Sequence, residues 1–64
     1  MTFSNHTITY QDFKKFDVDL SYPDFEEDEK DYHIRSWEIG KDRIVSIIYD
    51  KVSGKKIYDM FCPN

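Results

Sequence analysis

The chain has 64 residues, 13 of them acidic and 9 basic, for a formal net charge of −4, and it contains a single cysteine, Cys62. A chain this short predicts one domain over residues 1–64, burying only about 60% of its unfolded surface, and one cysteine excludes an intrachain disulfide. No apolar run approaches the roughly 20 residues of a membrane span. The first residues lack the basic and apolar regions of a signal peptide. A cytoplasmic protein is therefore expected, in the host cytoplasm if the chain is phage-encoded.

Five Phe, five Tyr and one Trp supply the bulk for a small core. Seven Ile and three Val against one Leu and no Ala favour strands over a helical bundle. In chain order, Met1 to His6 is polar apart from Phe3 and reads as a partly frayed end. Thr7 to Tyr10 suits a short strand, but Thr9-Tyr-Gln-Asp12 also has the spacing of a capping box, with Lys14 and Lys15 fitting the C-terminal end of a two-turn helix. Phe16 to Tyr22 has the clearest period of two: Phe16, Val18, Leu20 and Tyr22 alternate with Asp17, Asp19 and Ser21. That pattern predicts a strand with one face on the core and an acidic face in water.

Pro23 to Asp31 holds one apolar residue, Phe25, and reads as a solvated acidic loop. Tyr32 to Ile39 is expected to be a strand with Arg35, Trp37 and Ile39 on one face, joined through Gly40-Lys-Asp42 to the next. Arg43 to Asp50 and Lys56 to Phe61 form the strongest signal, a hairpin turning at Ser53-Gly54. Its first strand is apolar on both faces, Val45, Ile47 and Tyr49 against Ile44 and Ile48, which marks a central strand. The fold class is thus mainly β: a small antiparallel sheet of four to five strands with a C-terminal hairpin and one short helix near Gln11 to Lys15. The alternative is an α+β form with a helix running from Pro23 towards His33.

Chemistry-bearing motifs are sparse. His6, His33 and Cys62 show no paired metal-ligand spacing, and the acidic loop lacks the glycine of a calcium loop. No nucleophile elbow or phosphate-cradling glycine run is present, and so small a chain leaves little room for a catalytic pocket. The expectation is a protein that is not an enzyme, with no catalytic residue, no metal and no cofactor.

Charge distribution is the unusual feature. Residues 17–31 contain eight acids (Asp17, Asp19, Asp24, Glu26, Glu27, Asp28, Glu29 and Asp31) against Lys30 alone, whereas the other residues carry five acids and eight bases. Lys51, Lys55 and Lys56 form a basic hairpin tip, which the sequence places away from the acidic segment. Spread over about 50 Å of extended chain, eight charges are too sparse to copy duplex DNA, with its one charge per about 1.7 Å of axis. Folded into a patch, they suit the basic nucleic-acid groove of a protein partner, as a nucleic-acid mimic would, with Tyr22, Phe25, Tyr32 and Trp37 as apolar anchors. Three lysines on an acidic chain give little basis for direct nucleic-acid binding. The expected function is a small acidic inhibitor of a nucleic-acid-handling or host-defence enzyme, of the anti-defence kind that phages make. The alternatives are an immunity or antitoxin protein that neutralises a basic toxin, and a homo-oligomer assembled head to tail through acidic and basic ends.

Overall fold

A computed structural model describes residues 3–63, with the side chains of residues 6–62. The residues form five strands and one helix: β1 (Phe3–Ile8), α1 (Tyr10–Lys14), β2 (Phe25–Asp28), β3 (Tyr32–Ile39), β4 (Arg43–Asp50) and β5 (Lys56–Pro63). All strand pairs are antiparallel, in the order β1-β5-β4-β3-β2. The expected mainly-β sheet with a C-terminal hairpin and a short helix is the fold observed. Of the end expected to be partly frayed, Met1 and Thr2 lie outside the described residues, and β1 begins at Phe3.

The connections follow from local chemistry. At the β4–β5 turn the Asp50 carboxylate accepts the main-chain N–H groups of Val52 at 2.8 Å and Ser53 at 3.2 Å. Gly54 then takes φ +77°, a region that a side chain resists, and its N–H donates back to the Asp50 carbonyl. Gly40, at φ +68°, does the same service between β3 and β4. Thr9 caps α1, its hydroxyl accepting the Asp12 N–H at 3.1 Å, so the helical reading of this stretch is the one observed, while of the expected strand Thr7 to Tyr10 only Thr7 and Ile8 lie in a strand, as the end of β1.

Alternation along the paired strands gives the sheet two unlike faces. One face carries Trp37 opposite Val45 and Val45 opposite Met60, and α1 lies over it. Phe13, Trp37 and Val45 are the buried core, ringed by Ile8, Phe16, Val18, Ile39, Ile47, Tyr58 and Met60. Phe13 meets Trp37 edge-on at 5.8 Å and Tyr58 at 5.3 Å between ring centroids. The other face carries Ile34, Ile48 and Ile57 in one directly paired row, and no described helix or loop lies across it.

Two expectations are corrected. Phe16 to Tyr22 is not a strand. Asp17 ends the helical turn with φ +50°, the Asp19 carboxylate accepts the Ser21 N–H at 2.9 Å, and the Asp19 carbonyl accepts the Trp37 indole N–H. Phe16 and Val18 still face the core, but Leu20 and Tyr22 are exposed. Alternation here comes from an irregular chain that drops Phe16 and Val18 onto the sheet and then turns away. Conversely, the expected loop Pro23 to Asp31 contains β2, and no helix runs from Pro23 towards His33.

Candidate protein-binding surface

The acids of residues 17–31 do not form one patch. Pairing of β2 with β3 sets Glu26 opposite Arg35 and Asp28 opposite His33, all on the helix-bearing face. There the Glu26 carboxylate accepts from Arg35 Nε at 3.1 Å and lies 2.9 Å from His33 Nε2, while Asp28 Oδ1 lies 3.1 Å from His33 Nδ1. Lys51, from the β4–β5 turn, donates to Asp28 and to the Glu29 carbonyl. His33 is held above its ordinary pKa by the hydrogen bond to Glu26 and then by that to Asp28. Glu26 is held low chiefly by His33, and Asp28 chiefly by Lys51.

These contacts correct the charge map read from the sequence. The acidic β2–β3 connection and the basic β4–β5 turn lie at the same end of the sheet, because the Lys51 N–H also donates to the Asp31 carbonyl at 2.9 Å. A chain polarised in sequence folds with its acidic and basic turns side by side. The basic tip is therefore partly spent on β2, and a head-to-tail assembly loses its opposite ends.

The other predicted partner-binding residues divide clearly. Asp24 is partly structural, since its Oδ2 accepts the Glu38 N–H at 2.7 Å and its own N–H donates to the Ser36 carbonyl at 2.9 Å. Asp19 supports its own turn, and Asp17 stands exposed beside α1. Among the described residues, Glu27, Glu29 and Asp31 are exposed and make no ion pair. They lie on and beside β2, with Tyr22, Phe25 and Tyr32, which are 77%, 52% and 41% exposed, whereas Trp37, also expected as an anchor, is buried in the core and presents no contact surface.

Reading the sequence alone missed the open face of the sheet. The period-two pattern of β4 pointed to it, since Ile44 and Ile48 need a surface different from the one Val45 and Ile47 use. Nearby sites for chemistry are slight. The groove lined by Tyr10, Phe13, Lys14, Asp17, Val18 and Leu20 holds about 210 Å³, and that lined by Ile8, Asp12, Lys15, Phe16, Arg43 and Met60 about 360 Å³, near the lower end of the roughly 300–1,000 Å³ of a small-molecule site. Among the described residues no group of three His, Cys, Asp or Glu side chains is arranged to hold a metal, and no helix is long and apolar enough to cross a membrane. Compared with known proteins, the chain matches no family model, no curated protein and no solved structure at a significant level.

Proposed function

We propose that this protein is a small acidic inhibitor that works by occupying a basic surface on a nucleic-acid-handling or host-defence enzyme, as a phage anti-defence protein in the host cytoplasm would. The observation that carries the reading is the β2 edge, where Glu27, Glu29 and Asp31 pair with no cation among the described residues and stand beside the exposed rings of Phe25 and Tyr32. Unpaired carboxylates steer a basic partner into place, and exposed aromatics supply the contact energy that charge alone does not. Catalysis by the chain itself plays no part in this reading, and neither does direct contact with nucleic acid. A neutraliser of a basic toxin would use the same edge, and the identity of the partner separates the two.

The test is capture from host-cell lysate by the tagged chain at low and at moderate salt, with bound proteins identified by mass spectrometry. The reading expects a salt-sensitive catch dominated by one basic protein, lost when Glu27→Lys, Glu29→Lys and Asp31→Lys are combined. A catch that survives the triple reversal, or none beyond the chain itself, counts against it.

A further inference from the structure

Cations and acids are sorted by face of the sheet. Register and alternation put every described basic strand residue, His6, His33, Arg35, Arg43 and Lys56, on the face that carries α1. The opposite face receives Glu27, Glu38 and Asp59. Asp50 also belongs to it, but its carboxylate is engaged in the β4–β5 turn. No strand cation stands on that face. Among the described residues Glu27, Glu38 and Asp59 form no ion pair.

The same face is apolar at its centre. Ile34, Ile48 and Ile57 lie directly opposite one another across β3, β4 and β5, with Ile57 45% and Phe25 52% exposed at the margins. Two residues further along the strands, Ser36, Ser46 and Asp59 form the next row on this face, and the Ser36 and Ser46 hydroxyls share a 2.8 Å hydrogen bond. Three eight-residue strands and the four-residue β2, spaced about 4.8 Å apart, give this face about 450 Å², the size of the largest patch on an ordinary monomer, which is often functional. Doubled by a partner, it reaches about 900 Å², the size of a transient contact.

We propose that this open face, with its isoleucine row and the adjoining Asp59, is the docking surface for a protein partner that presents Lys or Arg among apolar side chains. The proposal rests on the inhibitor reading and names the surface that does the inhibiting. Charge decides the occupant. A second copy docked face to face would cover Asp59 with a face that offers no described strand cation, and a carboxylate removed from water without a cation is strongly penalised. A basic partner supplies what Glu27, Glu38 and Asp59 lack, while its apolar side chains cover the isoleucines.

The test is an NMR titration of the ¹⁵N-labelled chain with three eight-residue peptides: (Leu-Leu-Lys-Lys)₂, (Leu-Leu-Glu-Glu)₂ and octalysine. In an extended peptide the first presents leucine and lysine together on either face. The proposal expects saturable shifts at the amides of Ile34, Ile48, Ile57 and Asp59 with the leucine–lysine peptide, and at least tenfold weaker binding of the other two. The combined substitutions Glu27→Gln, Glu38→Gln and Asp59→Asn should weaken binding of the first about tenfold, and the spectrum itself shows that the variant is folded. Amides of the open face that stay unmoved at tenfold molar excess overturn the proposal, as do shifts confined to the α1 face or the same shifts produced by raising the protein's own concentration. These outcomes are independent of capture from lysate: a basic partner caught there while the open face ignores the peptide would leave the inhibitor reading standing and remove this surface from it.

Discussion

The indole Nε1–H of Trp37 donates to the main-chain carbonyl of Asp19, 2.9 Å away. One bond from the middle of β3 thus holds the irregular chain after α1 against the sheet. Trp37 is only 3% exposed, but Asp19 is exposed, so water can replace part of the lost bond. Trp37→Phe should keep the packing against Phe13 and lose the hydrogen bond, at a cost of about 0.5–1.5 kcal/mol. Phe13→Ala should cost about 3–5 kcal/mol. A domain of this size has on the order of 3–10 kcal/mol in total, so denaturant titration should find the first variant folded with a lowered midpoint and the second largely unfolded.

His33 predicts a pH dependence with a defined sign. Its pKa is raised in the folded chain above 6.5 by Glu26 and then Asp28, so its contribution is fully present below 6.5 and is lost as pH rises through the raised value. The lowered pKa values of Glu26 and Asp28 act the other way. Their contribution is present above their ordinary values of 4.5 and 3.8 and is lost as pH falls through the lowered ones. The β2–β3 pairing should therefore be firmest between about pH 4.5 and 6.5. Thermal melts from pH 5 to 8 should show the wild type exceeding His33→Gln at the acid end, with the gap narrowing as pH rises.

Two of the three left-handed positions, Gly54 and Asp17, should respond oppositely to substitution. Gly54→Ala places a side chain at φ +77° and should lower stability by about 1–2 kcal/mol. Asp17→Gly relieves a residue already at φ +50° and should be neutral or stabilising by up to about 1 kcal/mol. Melting temperatures of the two variants, measured side by side, check the pair.

Neighbouring carboxylates on β2 should separate structure from contact. Glu26→Gln and Asp28→Asn remove partners of Arg35, His33 and Lys51, and hydrogen exchange should show faster opening of the β2–β3 amides. Glu27→Gln and Glu29→Gln, whose carboxylates pair with none of the described cations, should leave that exchange unchanged. Equal loosening by both pairs would contradict the division drawn between them.

Legibility of the sequence followed the range of the forces involved. The β4–β5 hairpin was readable because Asp50, Ser53 and Gly54 settle the turn among themselves, and α1 because Thr9 and Asp12 meet within one turn. Strand β2 was not, since Phe25 to Asp28 has one apolar residue and is held by partners on β3 and by Lys51, far along the chain. Phe16 to Tyr22 misled for a related reason: alternation reports which side chains face a surface, and a chain lying on a sheet alternates much as a strand within it does. As for the site, Phe25, Glu27, Glu29, Asp31 and Tyr32 are exposed as expected of contact residues. The internal use of Glu26 and Asp28 depended on a register that composition does not reveal.

The strand order also sets an order of assembly. β2 to β5 each pair with a neighbour in sequence, through short connections that close quickly. β1 instead aligns Ile8 with Tyr58 and Phe3 with Pro63, a closure that spans nearly the whole described chain. During synthesis β1 leaves the ribosome long before β5 exists, so its hydrogen-bonding edge must wait unpaired while the four-stranded meander forms. Folding of this protein should thus finish with its first strand, and slow docking of β1 would be the step at which a nascent chain is most open to pairing with the wrong edge.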